Sequence, residues 1–105
     1  MPSPKNRNWC FTYNNPTVLP EQYLEDVSRH TRHVIFQLER GTSGTNHYQG
    51  CCSFTNAVRA STVKRYLGNS VHVEIMRGTY ESARVYSSKA ETRIEGKRLG
   101  SFSRI

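Results

Sequence analysis

Two small groups of residues in this 105-residue chain have side chains and spacings suited to phosphate chemistry. His47 and Gln49 lie two apart in a strand-like run, so they point to one side while Tyr48 points to the other. Glu39 ends the preceding strand-like run, across a connector that contains Gly41-Thr42-Ser43-Gly44. Pairing of the two runs as a hairpin would bring its carboxylate beside His47. One carboxylate, one imidazole and one amide oxygen form a mixed O/N donor set without thiolate, better suited to Mg2+ or Mn2+ than to zinc. The second group is Tyr86 with Lys89, three residues apart in a helix-like segment and therefore on one face. A phenol has a pKa of about 10, so it is a poor nucleophile at neutral pH unless its target is activated or its phenolate stabilised. A metal on the phosphodiester and a nearby ammonium would supply both. Each group alone also has an ordinary structural explanation: a surface His beside a Glu, a half-buried helix tyrosine beside a solvated lysine.

The run Trp9-Cys10-Phe11-Thr12-Tyr13 alternates aromatic with small or polar side chains and is followed by Asn14 and Asn15. Trp9 and Tyr13 could stack on bases, and the amides could bond phosphates or base edges. Core packing would account for the same aromatics. Arg59, Lys64, Arg65 and Arg77 add positive charge between the two groups, opposed within 59–77 only by Glu74, and they read equally as a solvated face. The formal charge is +7 with a pI near 9.7, which favours polyanionic partners. Residues 1–40 carry five Lys or Arg against four acids, and residues 41–105 carry ten against four, so such a partner should lean on the second part.

Length and pattern give the frame that must hold these residues. The chain suffices for one domain with one core. A strand at 8–13 ends at Asn14-Asn15-Pro16. Leu19, Tyr23, Leu24 and Val27 then mark a helix from Pro20 to about His30. Strands at 33–39 and 46–54 form the hairpin. Ala60, Val63 and Leu67 share a face of a helix at 57–67 that Gly68 ends, and Val71, Val73 and Ile75 alternate as a fourth strand. Residues 79–90 read as a helix capped by Thr79. The order β-α-β-β-α-β-α predicts an α+β, ferredoxin-like antiparallel sheet with helices on its faces. Residues 1–7 read as a mobile tail, and 93–105 as a further strand or, over 97–105, the start of a linker. No apolar run approaches the ~20 residues of a membrane span, and Met1 to Asn8 lacks a signal-peptide core, so a soluble, non-secreted domain is expected. Cys10, Cys51 and Cys52 sit in apolar runs, which predicts reduced, buried thiols. No Walker-type phosphate loop is present, so no hydrolysis of a nucleoside triphosphate is expected.

Taken in order, Phe11-Thr12-Tyr13-Asn14-Asn15-Pro16, His47-Tyr48-Gln49-Gly50 and Tyr86-Ser87-Ser88-Lys89 resemble the three-motif signature of HUH-type replication initiators of circular single-stranded DNA viruses. The form with Gln in place of the second His is that of the nanovirus, circovirus and alphasatellite initiators. Gln37-Leu38-Glu39-Arg40-Gly41, Arg77-Gly78-Thr79 and Glu91-Thr92-Arg93-Ile94-Glu95-Gly96 extend the likeness over nearly the whole chain. The resemblance implies an endonuclease that nicks the viral origin in a single-stranded stem-loop, stays joined to the 5′-phosphate, and later rejoins the strand to end a round of rolling-circle replication. It implies Glu39, His47 and Gln49 as ligands of Mg2+ or Mn2+, Tyr86 as nucleophile with Lys89 as its helper, and Thr12, Asn14 and Asn15 on the origin DNA. Action in the host nucleus, contact with host replication proteins, no membrane partner, a C-terminal helicase beyond an excised nuclease domain, and oligomerisation through that region follow from the same likeness. The rival from another class is a non-catalytic module for single-stranded nucleic acid, built on exposed sheet aromatics.

Overall fold

The computed structural model describes residues 4–41, 44–76 and 96–104. Among them the elements run β1 (Asn6–Asn14), α1 (Pro20–Ser28), β2 (His33–Gly41), β3 (Asn46–Val58), α2 (Ala60–Leu67), β4 (His72–Ile75) and β5 (Gly96–Arg104). The strands form one antiparallel sheet in the order β4-β1-β3-β2-β5. This is the expected ferredoxin-like plan, with β5 added at the edge beside β2. The C-terminal segment is thus a strand and not a linker, while Asn6 and Arg7 belong to β1 and not to a tail. The helix expected over 79–90 lies outside the described residues.

Strand alternation sorts the sheet into two unlike faces. Trp9, Phe11 and Tyr13 of β1, Val34, Phe36 and Leu38 of β2, and Tyr48, Cys52 and Phe54 of β3 turn to one side. There they meet Tyr23 and Val27 of α1 and Val63 and Leu67 of α2 in the main core. Both helices therefore cover a single face. Trp9 is only 2% exposed and donates its ring N–H to the Asn6 carbonyl at 2.8 Å, so it packs the core and cannot present a ring to a base. Tyr13 is half-buried against the same core and shares a 3.2 Å hydroxyl contact with Thr17.

Local rules explain the ends of the helices. Pro20 fits the first turn of α1 and Glu21 favours its positive end. A residue before proline is pushed out of the helical region, and Leu19 is extended (φ −62°, ψ 149°). Its side chain consequently leaves the expected apolar stripe and stands 75% exposed. Gly68 stops α2 at φ 128°, a conformation that side chains resist, and donates its N–H to the Lys64 carbonyl. The Tyr23 hydroxyl donates to the Leu67 carbonyl at 2.8 Å and ties the two helices together.

The central ladder is tight. A Cβ on Gly50 would lie 2.0 Å from the Ile35 carbonyl oxygen and 2.6 Å from Phe36 Cα, so only glycine lets β2 approach β3 here. On the outer side of β2, Phe102 of β5 stacks on Phe36 with ring centres 5.3 Å apart. β5 therefore closes one end of the core.

Candidate functional site

The face turned away from α1 and α2 carries polar side chains in rows. Strand pairing places Asn14, His47 and Glu39 in one row; His72, Thr12, Gln49 and Gln37 in the next; and Glu74, Cys10, Cys51 and Ile35 in a third. The hydrogen bond from Asn15 N–H to the Asn46 carbonyl at 2.8 Å fixes the phase of the β1–β3 ladder. Asn14/His47 and Thr12/Gln49 are consequently non-hydrogen-bonded pairs, whose Cα atoms approach to about 4.5 Å with their side chains leaning together. Asn15 itself turns away at φ 51°, the left-handed conformation that asparagine tolerates best after glycine.

Glu39 and His47 are direct partners across β2 and β3, as expected from the hairpin. His47 Nε2 stands 3.2 Å from Glu39 Oε1, with the two side chains 18% and 8% exposed. Two neighbouring ligands of an octahedral ion, each about 2.1 Å from it, lie roughly 3.0 Å apart. The observed separation thus suits either a direct hydrogen bond or shared coordination of one hard cation. Gln49 lies two residues along β3 on the same face and is exposed. Among the described residues no three His, Cys, Asp or Glu side chains form a metal-holding group, so an amide must complete any such set.

Sequence reasoning passed over two members of this face. Gln37 is fully buried opposite Gln49, and His72 Nε2 meets Glu74 Oε1 at 3.0 Å on β4 in an exposed pair that solvent screens. Their signal was the two-residue period itself: Gln37 shares the phase of Glu39, and Glu74 that of His72.

All four described tyrosines lie on the helix side of the sheet. Tyr23 donates to the Leu67 carbonyl and Tyr48 to the Val18 carbonyl, and burial pushes both phenols up. Tyr13 packs against the core, and Tyr66 of α2 stacks on His30 with ring centres 4.3 Å apart. None of them can reach across the sheet to Glu39 and His47. Tyr86, Lys89 and Arg77 lie outside the described residues.

The described residues of the expected basic group gather at the second helix. Arg59 precedes α2 and Lys64 and Arg65 occupy its last turn, all exposed. Because α2 packs on the core face, these charges lie across the sheet from Glu39, His47 and Gln49.

Comparison with known proteins identifies the family. The profile of the Viral_Rep family, viral replication proteins, matches residues 6–90. The master replication protein of Banana bunchy top virus is 40% identical over 97 residues, which cover 90% of this chain and 31% of that protein. Para-Rep C1 of Faba bean necrotic yellows C1 alphasatellite is 40% identical over 89 residues, 85% of this chain and 30% of its own length. The replication-associated protein of Human associated cyclovirus 1 is 33% identical over 86 residues, 80% of this chain and 31% of its own. The chain spans about a third of the length of these curated relatives. With all three motifs inside the matched segment, the chain belongs to the Viral_Rep family as a Rep domain of the circular single-stranded DNA virus type.

Proposed function

We propose that this domain nicks and rejoins the viral origin strand to initiate and terminate rolling-circle replication, with Tyr86 as nucleophile. One observation carries the reading. The Glu39–His47 pair lies with Thr12, Asn14 and Gln49 on a face that none of the four described tyrosines can reach. A phenol attacking a phosphate held there must come from Tyr80 or Tyr86, and Tyr86 stands in the third motif beside Lys89.

Glu39, His47 and Gln49 would hold Mg2+ or Mn2+, which when bound acts as a Lewis acid on the scissile phosphodiester. The chain's own groups do the rest. The Tyr86 oxygen attacks phosphorus and the bond from phosphorus to the 3′-oxygen breaks. The departing oxygen takes a proton and becomes a free 3′-hydroxyl for a host polymerase. One phosphodiester has been exchanged for a 5′-phosphotyrosine, so attack by a 3′-hydroxyl can reverse the step without ATP. Lys89 stabilises the developing phenolate or the phosphate, while Thr12 and Asn14 offer hydrogen bonds to the strand. The same reading puts the reaction in the host nucleus, with a stem-loop origin as substrate.

The non-catalytic module is disfavoured by the sheet itself. Trp9, Phe11 and Tyr13 face the helices, and among the described residues the polar face carries no Phe, Tyr or Trp on which bases could stack. The test is a labelled single-stranded oligonucleotide with the origin loop, incubated with the chain and Mn2+ and run on a denaturing gel. A protein–DNA adduct that Tyr86→Phe abolishes, with folding and DNA binding intact, is expected. An adduct retained in that variant would move the nucleophile to Tyr80.

A further inference from the structure

Cys10 and Cys51 face each other across β1 and β3, in the row next to Thr12 and Gln49. The phase of the ladder makes them a non-hydrogen-bonded pair, with Cα atoms about 4.5 Å apart and side chains leaning together. A disulfide spans Cα separations of about 4.4–6.8 Å, so the backbone already meets its requirement. The two side chains pack with Ile35 and Met76 in a small apolar cluster of their own. Cys52 points the opposite way into the main core, opposite Trp9, and cannot reach Cys10 across the sheet. All three cysteines are reduced thiols. Cys10 is half-buried and so within reach of a small reagent, whereas Cys51 is fully buried behind it.

We propose that Cys10 and Cys51 form an oxidative modification site, closed as a cross-strand disulfide by a low-molecular-weight disulfide such as oxidised glutathione. The Cys10 sulfur attacks one sulfur of the reagent, forming a mixed disulfide and releasing the first glutathione thiol. The Cys51 sulfur then attacks Cys10 Sγ; the bond between the two cysteines forms and the second glutathione thiol leaves. Two protein thiols are oxidised and one small disulfide is reduced to two thiols, so electrons and protons balance. The staple ties β1 to β3 one row from Thr12 and Gln49 and two rows from His47. It also closes a loop of about 40 residues, which restrains the unfolded chain and should raise the melting temperature.

The native chain is incubated with oxidised glutathione, and its mass, reactive thiols under denaturing conditions and melting temperature are measured before and after dithiothreitol. The expected product has lost the mass of two hydrogens, titrates one thiol in place of three, melts higher and reverts on reduction. Cys51 and Cys52 share one tryptic peptide, so partners are assigned with Cys52→Ala, which should still form the cross-link. Cys10→Ala, a change at a half-buried position, should not. A stable mixed glutathione adduct without an internal bond, or loss of the cross-link in Cys52→Ala, overturns the assignment.

Discussion

Replacing Gly50 by alanine should damage the fold and the site together. The added Cβ would lie 2.0 Å from the Ile35 carbonyl oxygen and 2.6 Å from Phe36 Cα and Cβ, where ordinary contact begins at 3.4 Å. The obstacle is the backbone of a paired strand, which no side-chain rotation relieves, so β2 and β3 must part by about 1 Å or more. Overpacking a core costs ~1–3 kcal/mol, and a backbone obstruction belongs at the upper end, about 3 kcal/mol. An unfolding entropy of ~2.1 cal/mol/K per residue gives about 0.22 kcal/mol/K for this chain, so the melting temperature should fall by about 14 °C. Glu39 and His47 lie three pairings along the same ladder and depend on its spacing, so Mn2+ affinity should fall as well. Thermal melts by circular dichroism and Mn2+ calorimetry below the transition measure both. A variant that melts within about 2 °C of the native chain would refute the claim that glycine is required for this approach.

Other changes separate the parts of the argument. Tyr23→Phe leaves the buried Leu67 carbonyl without its donor and should cost about 1–2 kcal/mol in urea unfolding, and an unchanged midpoint would count against that bond's role. His47→Ala should lose Mn2+ binding and cleavage together, while Gln49→Ala weakens both less because a neutral amide is the poorer ligand. Native-like Mn2+ binding in His47→Ala would displace the proposed site. Lys64→Glu with Arg65→Glu should leave nicking of a short saturating oligonucleotide within about twofold, since those residues lie across the sheet, and should lower only salt-sensitive binding. A tenfold loss of nicking would contradict the two-faced arrangement.

The sheet was legible because its strands carry a strong two-residue period, and the Glu39–His47 pairing followed from a hairpin with one Gly-rich connector. Which face the aromatics would take was not. Trp9, Phe11 and Tyr13 share one phase, but alternation fixes only which residues lie together, not which side the helices cover. That choice is made by tertiary packing of Val27, Val63 and Leu67, and it turned expected base-stacking rings into core. The same packing carries Lys64 and Arg65 to the helix side, because they travel with α2. Leu19 satisfied the helical spacing yet fell to the restriction that Pro20 places on its backbone. Strand β5 was ambiguous because Gly96, Lys97, Arg98 and Gly100 carry little β propensity, and pairing with β2 supplies what the local sequence lacks.

The alternation of the strands also makes the polar face separable from folding. On β1 and β4 the polar face belongs to even-numbered residues, Thr12, Asn14, His72 and Glu74 among them, and on β2 and β3 to odd-numbered ones. Every neighbour in sequence points into the other layer. Substitutions can therefore revise one parity of each strand while the other stays under selection for packing. A combinatorial library confined to positions 12, 14, 72 and 74 would vary the face beside the proposed metal ligands while leaving the buried aromatic lattice untouched.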